Sequence, residues 1–426
     1  MKILIITIGL LFTFSPITVF AEEEINEQET IAILLEQVKL LIKEVERLQS
    51  MLRPHTLDDS EYKPLPDEEI RNTISSGVAW FKEAQEESGH FKYEYLPYED
   101  EYLPLDNIVR QAGGLYVLGE VALVDESDKY ELKNTLKKGI RYFDTLSNRG
   151  EWNGYSFRCV SNSSTNDLCQ LGATSLALVG LIDAITRYPE LRDTYEGLAH
   201  DYGEYILSMK KEGSGFRHAY NSGSIPSENE SSFSNGEAIL ALTRYYMYSP
   251  NEETKKVIDE TFLYFKSDDV PFDFPLYLWV MAALKDMQEL WPNEKYITYA
   301  KDYTDWRLSG FAYRKSSTHN MCAYVEGVAS AYSVLEGNIE NGELENIARE
   351  IHYWLQASKK LQITDSNKYR IIHEDEKSYF GEIKNMNQAK GGFLTDQNEL
   401  TERIDFTQHC VNSYLQQLVD IGGKKL

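Results

Sequence analysis

Residues 391–418 read GGFLTDQNELTERIDFTQHCVNSYLQQL: a glycine and an aromatic residue, then a polar loop, then a helix with apolar side chains on nearly every face. Such a pattern is typical of a helix that is buried on all sides. An amphipathic helix is predicted just before this segment, at 341–361, and its single apolar face indicates an outer position. The unit is therefore an outer helix, a loop with a glycine–aromatic step, and an inner helix.

The same unit repeats along the chain from residue 67. Outer helices are predicted at 67–87, 129–147, 190–211, 251–267, 294–308 and 341–361, and inner helices at 105–123, 168–187, 234–248, 273–290, 320–336 and 404–421. The glycine–aromatic step recurs at Gly89-His90-Phe91, Gly154-Tyr155, Gly215-Phe216, Gly310-Phe311 and Gly392-Phe393. Six units with a period of roughly 60 residues predict an all-α double ring, an (α/α)6 toroid, over residues 67–426.

The chain before residue 67 is organised differently. A positive start at Lys2, a short apolar run and small residues before Glu22 predict a signal peptide, residues 1–21, that is cleaved on export. Residues 25–53 carry apolar side chains at spacings of three and four, which predicts a heptad helix. This helix either self-associates or docks a partner through residues 31–52, or lies against the body. Prolines and acidic residues at 54–66 indicate a linker.

The composition excludes several classes of partner. A formal net charge of −25 disfavours nucleic acids and anionic membranes, because both are bound by basic surfaces. After residue 21 no apolar run approaches the ~20 residues that a membrane-spanning helix needs. We therefore expect an exported bacterial protein that is soluble in the periplasm or outside the cell.

The four cysteines divide into two pairs. Cys159 and Cys169 lie ten residues apart in a polar loop, so we expect a disulfide between them in an oxidising compartment. Cys322 and Cys410 fall within predicted inner helices, where we expect buried thiols. So few cysteines in so long a chain leave the hydrophobic core to hold the fold.

The repeated unit resembles the α/α-toroid superfamily, which includes six-hairpin glycosidases, uronate lyases and epimerases, and terpenoid-cyclase and protein-prenyltransferase repeats. Residues 391–418 are similar to a prenyltransferase-type repeat, whereas NGEAILALTRYY at 235–246 and YVEGVASAY at 324–332 resemble inner helices of sugar-processing toroids. The resemblance covers residues 67–421 and implies the fold, which hosts many different chemistries. The chain has no Asp-rich acid motif of the squalene-cyclase type, which argues against cyclisation.

Zinc is a cofactor of some toroid enzymes, and the resemblance raises it here. Prenyltransferases hold zinc with Asp, Cys and His, and cyclic-peptide-forming toroid enzymes use two Cys and one His. Here His319, Cys322, His409 and Cys410 would form such a site at the starts of the last two inner helices. Two buried thiols and two histidines are the simpler interpretation, so we expect no metal. We also expect no nucleotide cofactor, because no phosphate-binding glycine loop is present.

Polar residues cluster where the inner helices begin. The inner helices of such rings present N-terminal ends, with unpaired N–H groups and partial positive charge, to one mouth. Arginines near five of the six starts would make this mouth positive and suited to a carboxylate, sulfate or phosphate. Helix capping and ion pairing are the structural alternatives. The residues expected to bind substrate are Asp106, Asn107, Arg110, Arg217, His218, Tyr220, Arg314, His319, Asn320, Arg403 and Gln408.

Carboxylates within apolar helices are the main candidates for catalysis. Glu237, Glu326 and Asp405 lie among apolar neighbours, where a carboxyl group must be paired, hydrogen-bonded or raised in pKa. Glycoside cleavage needs two carboxyl groups, whereas lyase or epimerase chemistry needs a base such as histidine beside a uronate. We therefore expect the catalytic residues to be Glu237, Glu326, Asp405 and His409.

These features predict an extracytoplasmic enzyme that acts on an acidic glycan by acid–base chemistry, as a hydrolase, lyase or epimerase. Tyrosines in the loops before the inner helices suit stacking against sugar rings. The long connection at 362–396 is expected to fold over the cleft as a lid. Two alternatives stay open: a non-catalytic, oligomeric glycan- or envelope-binding protein, and a zinc-dependent toroid enzyme.

Overall fold

A computed structural model describes residues 35, 38, 39, 64–163, 166–221, 223–309, 320–374, 377–396 and 399–426. The predicted signal peptide and nearly all of the predicted heptad helix and linker lie outside these residues, as do Arg314 and His319. Residues His55–Leu426 form one compact unit, which contains every element named below. Among the described residues, no helix has the length and apolar character needed to cross a membrane.

Twelve long helices in the described part of the chain alternate between two rings. The outer helices are α1 (Asp67–Ala84), α3 (Lys133–Thr145), α5 (Arg192–Ser208), α7 (Glu252–Phe265), α9 (Glu294–Leu308) and α11 (Asn341–Lys359). The inner helices are α2 (Ile108–Val124), α4 (Leu171–Arg187), α6 (Ser232–Tyr248), α8 (Phe274–Leu290), α10 (Met321–Leu335) and α12 (Ile404–Gln416). The inner helices contact one another in chain order, and α12 contacts α2, so the ring closes. The predicted (α/α)6 toroid is confirmed.

Burial follows the apolar pattern of each helix. The inner helix α4 buries every residue from Leu171 to Ile185. The outer helix α3 buries one face only, which includes Leu136, Ile140 and Phe143. Because each fully buried large apolar side chain stabilises the fold by about 1.5–3 kcal/mol, the inner ring is the main source of stability.

A repeated hydrogen bond ties the loops to the inner helices. In three units the fourth residue of the inner helix accepts the backbone N–H of the aromatic residue in the glycine–aromatic step. The pairs are Gln111 with Phe91 at 2.9 Å, Asn235 with Phe216 at 2.8 Å, and Thr407 with Phe393 at 3.1 Å. The step is therefore an anchor for the loop. Gly154-Tyr155 differs, because it forms the turn of a hairpin instead.

Short antiparallel sheets lie in the loops between outer and inner helices. The strands are β1 (Glu94–Leu96), β2 (Glu101–Tyr102), β3 (Ser147–Trp152), β4 (Tyr155–Ser163), β5 (Asn166–Gln170), β6 (Ala219–Asn221), β7 (Tyr369–Glu374), β8 (Lys377–Glu382) and β9 (Glu402–Arg403). The first sheet has the order β2-β1-β9, the second has the order β3-β4-β5-β6, and β7 and β8 form the third. Pairing of β9 with β1 places the loop before α12 beside the loop before α2.

Both pairs of cysteines form disulfides. The Cys159–Cys169 disulfide joins β4 to β5, as predicted. Cys322 and Cys410 are also joined, so the prediction of two buried thiols is wrong. Their Cα atoms lie 4.7 Å apart although 88 residues separate them, because α10 and α12 are neighbours in the closed ring. Spacing along the sequence carries no signal for such a pair.

Candidate active site in the inner ring

Four side chains lie at the same depth in the inner ring, and we call them the central layer. Glu237, Trp279, Glu326 and His409 are each the sixth residue of their helix, in α6, α8, α10 and α12. Because an α-helix rises about 1.5 Å per residue, equal positions along the helices mean similar depth below the mouth. The ring centroids of Trp279 and His409 lie 6.0 Å apart, which confirms that this layer is continuous.

A histidine–carboxylate pair forms the core of the central layer. His409 Nδ1 lies 2.6 Å from Glu326 Oε2, and Asn412 Nδ2 donates to Glu326 Oε1 at 2.7 Å. Asn412 also donates to the hydroxyl of Tyr116 at 3.0 Å. Both oxygens of the buried Glu326 are therefore engaged. A carboxylate at Nδ1 keeps the proton on that nitrogen and leaves Nε2 as the basic atom.

The second ring nitrogen of His409, Nε2, is available to accept a proton. Among the described residues, no side chain or backbone group hydrogen-bonds Nε2. The side chain keeps 10% of its surface exposed, whereas that of Glu326 keeps only 1%. His409 is thus oriented from one side and accessible from the other, which is the arrangement of a general base.

Glu237 is a buried carboxyl group of a different kind. Its Oε2 has no hydrogen-bond partner in the described part of the chain. Burial raises the pKa of Glu237 to about 8. Gly172 of α4 leaves the space for this carboxyl group, since a Cβ atom there would lie 2.1 Å from Oε2. At neutral pH Glu237 therefore carries a proton that it can donate.

Asp405 lies one turn above His409 on α12 and is enclosed by two arginines. Arg403 donates to both carboxylate oxygens, from Nε at 2.7 Å and from Nη2 at 3.0 Å. Arg110 Nε lies 3.0 Å from Asp405 Oδ2, and Arg110 also donates to the hydroxyl of Tyr93. These contacts occupy both oxygens of Asp405. Glu94 and Glu399 also lie near enough to raise the pKa of Arg403, so further carboxylates balance this arginine.

The other arginines correct the prediction of a broadly positive mouth. Arg217 pairs with Glu228 at 2.9 Å. Arg158 pairs with Asp144 and Asp201, which belong to the outer helices α3 and α5. Each described arginine near a helix start is therefore bound to a carboxylate.

Several predicted binding residues have structural roles. Asn107 caps α2 by accepting from the backbone N–H groups of Val109 and Arg110. Asn320 caps α10 in the same way, by accepting from the N–H of Ala323. Because the oxygen of each amide is used by the helix, these two asparagines are less available to a ligand.

Asp106 also forms an internal contact. It lies 3.2 Å from His90 Nε2 and accepts from Gln111 at 2.8 Å. Burial alone would lower the pKa of His90, but the hydrogen bond and charge of Asp106 outweigh it and raise that pKa. Asp106 and His90 are therefore an ion pair of the first loop.

The remaining predicted residues divide between the central layer and the rim. Gln408 is buried beside the catalytic candidate, with Nε2 3.2 Å from His409 Nδ1. Tyr220 is buried against Phe157 under an open groove of about 840 Å³ formed with the β3–β4 hairpin. His218 Nδ1 lies 3.0 Å from the carbonyl oxygen of Asn229. These contacts place Tyr220 and His218 on the rim, in the loops before α4 and α6.

A second polar layer lies two turns below the central layer, and we call it the floor cluster. Glu120, Asp183, Arg244 and Asp286 are each the thirteenth residue of their helix, in α2, α4, α6 and α8. Arg244 pairs with Glu120 at 2.9 Å, with Asp183 at 3.4 Å and with Asp286. Burial raises the pKa of both Glu120 and Asp183. One arginine thus joins four inner helices.

The zinc interpretation loses two of its four donors. Cys322 and Cys410 form a disulfide, and disulfide sulfurs are not the thiolates that zinc binds. His319 lies outside the described residues. Among the residues that the structure describes, no group of three His, Cys, Asp or Glu side chains is arranged to hold a metal ion.

Solved structures share this architecture. A sugar epimerase from a ruminal bacterium has 12% sequence identity and a TM-score of 0.56, and the match covers 83% of this chain and 99% of that one. The cellobiose 2-epimerase from Bacillus thermoamylovorans has 11% identity and a TM-score of 0.55, with coverages of 82% and 98%. No protein-family model and no curated protein sequence matches the chain.

A third similar structure is that of a polysaccharide-degrading enzyme. It is an inactive variant of an α-1,6-mannanase from a Salegentibacter species in complex with α-1,6-mannotriose. It has 10% identity and a TM-score of 0.55, and the match covers 83% of this chain and 99% of that one.

The chain shares the (α/α)6 toroid fold with these solved structures. Within that fold, sequence reasoning missed Asn412, Tyr116 and Trp279 as members of the site. Asn412 had a signal, because it lies three residues after His409 and therefore on nearly the same face of α12. Tyr116 and Trp279 had none, because an aromatic residue in an apolar helix looks like core.

Proposed function

We propose that the protein is an extracytoplasmic carbohydrate-active enzyme in which His409, oriented by Glu326, removes a proton from a carbon atom of an acidic sugar. The observation that carries this proposal is the 2.6 Å contact between His409 Nδ1 and Glu326 Oε2, with Nε2 left free among the described residues. The reaction is therefore of the lyase or epimerase type.

The state of the carboxyl groups favours proton abstraction over hydrolysis. Glycoside hydrolysis needs two carboxyl groups, one as acid and one as base or nucleophile. Both oxygens of Glu326 accept hydrogen bonds, and both oxygens of Asp405 are bound by arginines. Of the three predicted catalytic carboxyl groups, only Glu237 has an oxygen without a partner in the described part of the chain. One free carboxyl group and one free imidazole nitrogen suit an acid–base pair.

Glu237 and His409 lie on opposite sides of the inner ring, since α6 and α12 are the third and sixth of its helices. In the proposed step, Nε2 of His409 takes the proton from the carbon next to the sugar carboxylate, and the C–H electron pair moves toward that carboxylate. Glu237 then gives its proton either to the opposite face of the carbon, which yields the epimer, or to the departing glycosidic oxygen, which yields an unsaturated sugar. Solvent returns both groups to their starting states.

An acidic substrate is supported by the charges at the mouth. Arg110 has Asp405 as its one carboxylate partner among the described residues, and its side chain is 36% exposed. A guanidinium group binds a sugar carboxylate with two parallel hydrogen bonds. Asp405 accordingly has the role of holding both arginines in place. Location outside the cytoplasm is supported by the two disulfides, which are typical of oxidising compartments.

The unpaired state of Glu237 also favours an enzyme over a non-catalytic binding protein. A protein that only binds glycan has no need of a buried acid without a partner, because such a group costs stability. Structures of similar fold include sugar epimerases and a mannanase with a bound trisaccharide, so this architecture accommodates both proton transfer and oligosaccharides.

The proposal is tested by a ligand screen followed by turnover with matched histidine variants. The full chain is mixed with neutral manno-oligosaccharides and with uronate-containing oligosaccharides, and the melting temperature is measured. A uronate ligand at 100 times its Kd should stabilise the protein by about 2.7 kcal/mol.

Turnover of that ligand should fall by about 100-fold or more in H409Q, because the base is lost. The control is H200Q, since His200 also forms a hydrogen bond through Nδ1, to Tyr245, but lies on the outer helix α5. Equal turnover in H409Q and wild type would contradict the assignment of the base. Stabilisation by neutral sugars only would contradict the acidic substrate.

A further inference from the structure

Side chains one turn apart on α10, Cys322, Glu326 and Ser330, each link this helix to α12. The Cys322–Cys410 disulfide is the first link, Glu326–His409 the second, and a hydrogen bond from Gln416 Nε2 to Ser330 Oγ at 2.9 Å the third. The disulfide adjoins the catalytic candidates directly, since Cys410 follows His409 and Cys322 lies four residues before Glu326.

The hydroxyl of Ser413 joins the disulfide to the histidine backbone. Ser413 Oγ lies 2.7 Å from the carbonyl oxygen of Cys322 and 2.7 Å from that of His409. All of these groups are buried. The disulfide is therefore placed to fix the position of α12 relative to α10, both along the helix axis and around it.

We propose that the Cys322–Cys410 disulfide is a positioning element that holds His409 Nδ1 against Glu326, and that its reduction uncouples the pair without unfolding the ring. This inference rests on the proposed function for its effect on turnover. A displacement of about 1 Å at a reacting group costs on the order of 100-fold in rate. The contact at stake is the 2.6 Å hydrogen bond between His409 and Glu326, and Asn412 of the same helix holds the other oxygen of Glu326 at 2.7 Å.

The fold itself has other supports, so loss of the disulfide leaves the ring intact. The helix α12 packs against α2 and α1 as well as against α10, so its burial does not depend on the disulfide. Burial of the inner helices supplies most of the stability.

The second disulfide provides a matched control. Cys159 and Cys169 are also fully buried, but they join β4 to β5 in the second loop and lie on neither α10 nor α12. Removal of this disulfide should lower stability without changing the state of His409.

The experiment compares the full chain, C322S/C410S and C159S/C169S, each with and without a dithiol reductant. Circular dichroism and the melting temperature report folding. Nitrogen-15 NMR of the histidine rings reports which nitrogen of His409 carries the proton, with the signal assigned by its loss in H409Q.

We expect C322S/C410S to be folded and its His409 signal to change from the Nδ1–H form to a mixture of tautomers. Its kcat on the uronate ligand should fall by about 10- to 100-fold with little change in KM. Reductant should produce the same NMR change in wild type, and C159S/C169S should keep the wild-type signal and kcat.

An unchanged His409 signal in C322S/C410S would overturn the inference. If the serine variant fails to fold, C322V/C410A, which fills the space with apolar atoms, takes its place in the same NMR comparison. Absence of turnover in wild type would contradict the proposed function alone, because the NMR comparison needs no substrate.

Discussion

The central layer and the floor cluster occupy the same inward face of the inner helices, seven residues apart, yet their polar groups are arranged differently. In the floor cluster one arginine contacts three carboxylates from three other helices. In the central layer Glu237 and His409 each keep a polar atom without a partner among the described residues. The shared Arg244 holds the floor carboxylates and their helices together, whereas the pKa of Glu237 is raised by burial alone, with no charged neighbour contributing.

The largest expected effect is on stability, from Arg244→Met in the floor cluster. The change leaves buried carboxylates without their cation, so the free energy of unfolding should fall by about 3–5 kcal/mol in urea titrations. Arg158→Met is the control, because Arg158 also pairs with two carboxylates, but those of Asp144 and Asp201 are 40% and 32% exposed. Equal destabilisation by the two variants would show that the floor cluster has no special structural role.

Glu326→Gln should reduce turnover strongly and stability only slightly, which is the opposite of the effect expected for Arg244→Met. The amide keeps the size of the side chain and an acceptor for Asn412, but it no longer stabilises positive charge on His409. Turnover should fall by about 100-fold, which corresponds to about 2.7 kcal/mol of transition-state stabilisation. The melting temperature should change far less than in the Arg244 variant. A large loss of stability with normal turnover in the surviving folded protein would place Glu326 with the floor cluster instead.

Glu237→Gln should change how stability depends on pH. The pKa of Glu237 rises from 4.5 to about 8 on folding, so the folded chain binds one more proton than the unfolded chain between these values. The contribution of Glu237 to the free energy of unfolding is greatest below pH 4.5 and is lost as the pH rises through 8. Between pH 5 and 8 the wild type should therefore lose a few kcal/mol more than the variant. Parallel stability curves for the two proteins would contradict a neutral, buried Glu237.

The smallest effect is expected from Asn107→Ala at the mouth. Loss of the cap of α2 should cost about 1 kcal/mol, and Asn107→Ser should recover most of it. KM for the sugar should stay close to the wild-type value in both variants. A large rise in KM with unchanged stability would restore Asn107 to the binding site that the sequence predicts.

Periodicity predicted the fold well because each helix must bury its apolar face. Glu237, Glu326 and His409 were found as polar residues on buried helices, and the structure places all three in one layer. The roles of Asn107 and Asn320 could not be separated from binding, because a cap and a ligand use the same amide oxygen. The Cys322–Cys410 disulfide and the four-helix contacts of Arg244 depend on which helices are neighbours, which no local pattern reports.

The most direct test of the central claim is proton NMR of the uronate oligosaccharide during turnover in deuterated water. Removal of a proton by His409 predicts either deuterium at the carbon next to the carboxylate or a new double bond beside it, and neither signal in H409Q. New reducing ends that appear without deuterium or a double bond would mean hydrolysis, and would contradict His409 as the base.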